Sequence, residues 1–227
     1  MLPAKYLTAV AILSIPAYSF SQDKIKIEPK WDKDFKQTLK LKADIDAGGR
    51  HAVLSSNLQW AAKEIDDSGY TLSIHHDDIK VSVDDQNTSA PADDYKIIVN
   101  KKGDLTKVAG GIDGTDTARW YLASHFFAPS EALTKNQTAK WTVSGDRLYV
   151  GELNVESTYL GEEKVGNVQA YRFKQKMSEA KTSFTSSGMI WVTLDGHVVK
   201  ADMNFADMPL PVSGGNATGK FTITAAE

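Results

Sequence analysis

The 227-residue chain carries no cysteine and a formal net charge of −3, with 41% hydrophobic and 24% charged residues. Without cysteine there is no disulfide, no thiol nucleophile, no thiolate metal site and no lipid-modified cysteine of the bacterial lipoprotein kind. Mild acidity without a Lys/Arg cluster argues against nucleic acid and anionic membrane surfaces as partners.

Residues 1–21 read as a secretory signal peptide: Lys5 precedes the short apolar run YLTAVAILSIPAYSF, and small residues stand at Ala17 and Ser19. Cleavage after Ser19 and after Ser21 is equally readable, and loss of Lys5 takes the formal charge from −3 to −4. No later stretch reaches the roughly 18 apolar residues of a transmembrane segment. Residues 22–227 are therefore expected to be a single exported, soluble domain, periplasmic or extracellular, long enough to bury a sizeable core without staples. Asn87, Asn136 and Asn216 each open an Asn-x-Ser/Thr triplet. Short-leader, cysteine-free export looks bacterial, so these are read as turn chemistry rather than glycan acceptors.

After a polar leading segment, KQTLKLKADID alternates Leu39, Leu41, Ala43 and Ile45 against Lys40, Lys42 and Asp44, the period of a half-buried strand. A Gly-rich turn follows, then HAVLSSNLQWAAKEI with Leu54, Leu58, Trp60 and Ala62 on one parity. A helix also fits part of that run. The strand reading is preferred because DDSG makes a tight hairpin into Tyr70, Leu72 and Ile74. Past HHDD the apolar parity switches to Ile79, Val81 and Val83, which predicts a bulge. NTSAPADD reads as a loop, YKIIV and LTKVAGG as strands about a turn at Lys102-Gly103-Asp104.

Residues 116–128 predict a helix of about three turns with an aromatic face, capped by Thr115 or Asp116 and stopped by Pro129. Strands dominate again from KWTVSG through RLYVGELNVESTYL, VQAYRFKQKM, GMIWVTL, HVVKADMNFADM and GKFTITA. Short turns such as Asp195-Gly196 force antiparallel neighbours. The fold class is thus mainly β: a curved antiparallel sheet, or unclosed half β-barrel, of about ten strands around one principal helix.

The face patterns differ. Val199, Ala201, Met203 and Phe205 share one face of their strand, with polar residues opposite. MIWVTL is apolar on both parities, as expected of a strand between two layers. Met177, Met189, Met203 and Met208 cluster in the C-terminal part, and methionine adapts to irregular or ligand-lined space; ordinary core packing explains them equally. The order of aromatic helix, proline break, W-x-V strand at Trp141, YLGEEKVGNVQAYRF and GMIWVTLDGHVVKADM resembles secreted bacterial proteins of uncharacterised function and, more loosely, LolA- and LppX-type carriers. That resemblance implies an unclosed barrel with a helical lid and a hydrophobic cavity for acyl chains. The missing lipid-anchor cysteine separates the chain from the anchored LppX-like members and leaves the soluble LolA-like branch. Cavity-lining residues are then expected at Trp60, Trp120, Phe126, Phe127, Phe173, Met189, Trp191, Met203 and Phe205, with Trp120 near the mouth.

Chemistry-bearing patterns are few. HHDD, His75 to Asp78, puts an imidazole and a carboxylate about 7 Å apart on each face of a strand, and His51 or Glu64 are candidate cross-strand neighbours for a metal. Adjacent solvated histidines explain it as well. GGIDGTD lacks the order of a phosphate-binding loop, and His125 suits the C-terminal end of a helix. No serine- or metallo-hydrolase motif occurs, and the paired carboxylates Asp66/Asp67, Asp84/Asp85, Asp93/Asp94 and Glu162/Glu163 fall in expected turns. No catalytic residue, metal or cofactor is expected. The function read from the sequence is binding or carriage of a hydrophobic small molecule or lipid in the cell envelope; the alternative is a non-enzymatic secreted scaffold with a fully packed core.

Overall fold

A computed structural model of the protein describes residues 24–110, 115–144, 150–209 and 215–226. The expected leader at 1–21 lies outside them. So do residues 111–114 of GGIDGTD, the expected capping side chains of Thr115 and Asp116, and the start of the strand expected from Arg147.

Twelve strands form one antiparallel sheet from two meanders. The first runs β1 (Lys36–Ala47), β2 (Arg50–Ile65), β3 (Gly69–Val83), β4 (Gln86–Ser89), β5 (Asp93–Asn100) and β6 (Leu105–Ala109). The second runs β7 (Thr138–Val143), β8 (Leu153–Val165), β9 (Val168–Glu179), β10 (Thr185–Val192), β11 (Val198–Pro209) and β12 (Asn216–Ala225), with the helix α1 (Thr115–Ser124) between the two. Strand order is β6-β5-β3-β2-β1-β12-β11-β10-β9-β8-β7, with β4 on β3; β6 and β7 are the unjoined edges of a half barrel. The first and last strands pair at its centre. Their apolar rows match, Leu41 opposite Ile223 and Ala43 opposite Phe221, so both turn to the concave face.

Register shifts curl the sheet. Ser55 pairs with Lys80 but Asn57 with Asp77, so two residues oppose Ser56, and Asp78 takes a φ of 48°. This is the bulge the parity switch predicts. A second shift follows Tyr159, which opposes Phe173 while Gly161 opposes Arg172. It turns Glu163 and Val165 to the convex face. The segment expected as a loop from Asn87 instead begins inside β4, paired to the end of β3.

The helix lies in the concavity, with Ala118, Leu122 and Ala123 in the main core. It is shorter than expected, ending at Ser124 instead of continuing to residue 128. The reason is competition for backbone groups. Buried Gln175 of β9 donates to the His125 carbonyl at 2.7 Å and accepts from the Phe127 N–H at 3.0 Å. Ser186 of β10 donates to the Ala123 carbonyl at 2.7 Å. With these partners supplied by the sheet, the chain leaves the helix and buries Phe126 and Phe127.

Residues 24–35 form a strap across one end of the half barrel. Ile25 exchanges both backbone hydrogen bonds with Leu133, Glu28 donates to the Leu194 carbonyl and Lys30 to the Asp195 carbonyl. Pro29 packs over Gly103 and Gly196, whose positive φ values of 85° and 73° make the two turns beneath it. Trp31 meets Tyr70 edge-on at 5.0 Å, and Phe35 lies 4.4 Å from the His197 ring. Alternation gives no sign of this strap, because its contacts are irregular.

Two half-buried histidines tie this end together. His197 bonds the Lys30 carbonyl at 2.6 Å and His125 the Gly103 carbonyl at 2.8 Å, each through an Nε2–H. Burial pushes both pKa values below the ordinary histidine range, against smaller opposing effects of those carbonyls and nearby Asp side chains. A histidine held neutral in the fold contributes stability that is present above its unfolded pKa, about 6.5, and is lost as pH falls below it. Melting temperature is therefore expected to drop between about pH 7 and pH 5. His125→Gln should flatten that slope in a differential scanning calorimetry series; an unchanged slope would exclude His125 as its source.

Candidate ligand cavity

The helix does not fill the concavity. It packs chiefly on β11, with smaller contacts to β10 and to β6, and its N-terminal half is held by Arg119. Arg119 Nε and Nη2 reach Glu179 Oε2 and Oε1 at 2.8 and 3.0 Å, a bidentate pair in which the two residues are 8% and 4% exposed. Glu179 also accepts from the Gly151 N–H at 2.6 Å and the Thr182 hydroxyl at 2.9 Å. Burial alone would raise its pKa; these donors outweigh it and hold the carboxyl below the usual range. All of these anchors come from the second meander. The concave face of β1, β2 and β12 is left without a helix against it.

A cavity of about 240 Å³ occupies that space. Leu41 and Ile45 of β1, Leu54 and Leu58 of β2, and Phe221 and Ile223 of β12 form one wall; Trp120 and Tyr121 of the helix form the other. Each strand contributes alternate residues, so the wall is apolar by period. A smaller pocket of about 60 Å³ under the strap, lined by Trp31, Trp60 and Phe126, adjoins it at Tyr121, Ser124 and Ile223. The larger space lies between the about 150 Å³ that takes a benzene ring and the about 300 Å³ at which small-molecule pockets usually begin. A hollow of about 740 Å³ on the convex side is an open groove bordered by Lys36, Lys63, Lys96 and Asp94.

Polar groups enter the cavity at one side. The bulge leaves His76 on the concave face, where its Nε2 lies 2.6 Å from the Ser56 hydroxyl. Burial pushes the His76 pKa down, opposed by the charges of Asp93 and Asp77. Tyr95 of β5 meets the Tyr121 ring at 5.9 Å and the His76 ring at 6.1 Å. Burial, then the Asp93 carboxylate, push the Tyr95 phenol up to about 12. Burial, with Tyr95 and Asp93 adding to it, pushes the Tyr121 phenol up as well. All three groups are neutral near pH 7.

The residues expected to line a cavity are distributed over three places. Trp120 lines it, edge-on to Phe205 at 5.2 Å. Trp60 and Phe126 line the smaller pocket. Phe127, Phe173, Met203 and Phe205 are packed in the core, with Phe126 against Phe173 at 5.1 Å. Met189 and Trp191 are on the other side of the sheet: they join Val165, Ala170 and Val199 in a separate convex-face cluster, and Val199 leaves the face expected for it with Ala201, Met203 and Phe205 because the pairing shifts between Trp191 and Val192. Trp191 donates to Glu163 at 3.2 Å, and Lys200 Nζ lies 4.3 Å over its ring. The strand apolar on both faces is thus flanked by the core and by this sealed patch, not by core and helix. Leu41, Ile45, Leu54, Phe221 and Ile223, absent from the expected set, carry the wall. Their alternation was the available signal; methionine content points instead to β10 and β11.

HHDD is divided between the faces. His75 bonds Asp94 at 3.0 Å on the convex side, where Asp77 accepts from Gln59 at 2.8 Å, and Asp78 pairs with Lys80. His51 and Glu64 are not its neighbours: His51 pairs with Asp46 and Glu64 with Thr71. Among the described residues no three His, Asp or Glu side chains are grouped to hold a metal ion.

No protein-family model matches the sequence, and no curated protein sequence matches it. Solved structures resemble it to different degrees. One, described as lipid-protein interactions in lipovitellin, is 9% identical with a TM-score of 0.52 and covers 87% of this chain; the chain spans about a quarter of that protein's length, 26%. A beta-barrel-like protein of domain of unknown function DUF1849 from Brucella abortus is 8% identical over 86% of this chain and 100% of its own, with a TM-score of 0.29. An outer membrane lipoprotein-sorting protein domain from Vibrio parahaemolyticus is also 8% identical, over 86% of each chain, with a TM-score of 0.24. At 9% identity the likeness to the lipovitellin structure concerns fold alone.

Removing one partner of a buried ion pair leaves an uncompensated charge, which costs about 3–5 kcal/mol. Glu179→Ala is expected to lose stability on that scale in urea denaturation. Glu179→Ala with Arg119→Met should recover part of it; a double variant no better than the single would assign the loss to the Gly151 and Thr182 contacts.

Proposed function

We propose that this protein is an exported, non-catalytic carrier that binds an acyl-chain ligand between α1 and the β1–β2–β12 wall. The observation that carries the reading is the apolar cavity left where the helix, held by the Arg119–Glu179 pair, does not cover the β1–β2–β12 wall. Its mouth allows a chain longer than the enclosed space to protrude. The lipid interactions named for the lipovitellin structure, which shares this fold, support the same ligand class. The basic-then-apolar start of the sequence supports export. The cavity counts against the scaffold reading, which needs a fully packed interior.

Ala43 lies in the cavity wall at the centre of β1. Ala43→Phe is expected to fill the space and weaken binding of a fluorescent fatty-acyl probe at least about tenfold, a change of about 1.4 kcal/mol, with the melting temperature retained. Met189→Ala, on the convex face, should leave binding unchanged. Probe binding that survives Ala43→Phe, with an apo mass for protein drawn gently from its host, would favour the scaffold. N-terminal sequencing of the exported protein should begin at Phe20 or Gln22; an intact Met1 would overturn export.

A further inference from the structure

The polar side of the cavity distinguishes between ligand heads. Three groups line it there, the His76 imidazole and the phenols of Tyr95 and Tyr121, with the buried Ser56 hydroxyl bonded to His76. Among the described residues no lysine or arginine lines the cavity. Asp93 opposes His76 across the β3–β5 pairing, so its side chain shares the concave side with His76 and Tyr95. Its charge acts on His76, Tyr95 and Tyr121 alike. The Asp93 carboxylate already accepts from the Asp94 N–H at 2.8 Å and from the Tyr95 phenol.

We infer that the cavity takes an amphiphile whose head is uncharged and both donates and accepts hydrogen bonds, an alcohol, ester or amide, and that it discriminates against a free fatty carboxylate. The inference rests on the carrier reading. A carboxylate placed beside His76 would meet Asp93 at short range in a partly desolvated site with no cation to compensate it. A neutral hydroxyl or ester can use the imidazole and phenols as they stand. An ammonium head only donates, and the carboxylate that would attract it is already held by two donors, so its desolvation is poorly offset.

Three probes with matched twelve-carbon chains test this at pH 8 on the intact protein: monododecanoylglycerol, dodecanoate and dodecylammonium, each measured by isothermal titration calorimetry. Monododecanoylglycerol is expected to bind tightest, with dodecanoate weaker by at least about tenfold. Asp93→Asn should bring dodecanoate to within about threefold of the glycerol ester. Dodecanoate or dodecylammonium binding as tightly as the ester overturns the inference while leaving the carrier reading in place. So does an Asp93→Asn protein that binds the ester normally and keeps the full gap. Binding of none of the three overturns the carrier reading and the inference with it. The ranking on the unaltered chain needs no variant to fold.

Discussion

The anchoring of one short helix to one half of a curved sheet governs the rest of the molecule. A ten-residue helix has little stability of its own, so its position depends on what the sheet offers. The second meander offers an ionised Glu179 for Arg119, a Ser186 hydroxyl for the Ala123 carbonyl, and the Gln175 amide for the backbone of residues 125–127. Each is a buried polar group whose partner could be replaced only at a desolvation cost. The helix therefore stays on β10 and β11. The cavity is the space this leaves against β1, β2 and β12.

Curvature makes that space possible. A flat twelve-stranded sheet would need a second layer along its whole length, whereas bulges bend this one round a single helix. The bulges also choose which residues face inward. The shift at Asp78 puts His76 among apolar neighbours while His75 and Asp77 turn to solvent. The shift after Tyr159 turns Glu163 outward, where it receives the Trp191 N–H and an Arg172 N–H at 3.1 Å. One inserted residue thus turns a half-buried imidazole to the opposite face from a carboxylate that lies next to it in sequence.

The strap of residues 24–35 completes the enclosure from outside the sheet. It is held by hydrogen bonds to the Leu133, Leu194 and Asp195 backbones and by the His197 ring, so it joins segments far apart in sequence. Trp31 and Phe35, set between Tyr70 and His197, also border the smaller pocket. Closure of the half barrel at this end and the floor of the ligand space are the same set of contacts.

The alternation of Leu39 to Ile45, of Leu54 to Ala62 and of Ala201 to Phe205 determined the strands, their antiparallel hairpins and the bulge near Asp78, because side chains alternate faces with a strict period of two. The absence of cysteine excluded covalent staples and thiol chemistry outright. What alternation could not decide is which apolar face meets the helix. Met189 and Trp191 have the same apolar character as Met203 and Phe205, yet the strand direction and the intervening bulges put the first pair on the convex side. The helix end was equally illegible, since Ser124 is the last helical residue only because Gln175, fifty residues on from His125, supplies the competing hydrogen bonds. Local sequence sets the period of each face. Which face closes and where a void remains depend on pairing between β1 and β12 and on a buried ion pair, and both join residues too distant for any local pattern to record.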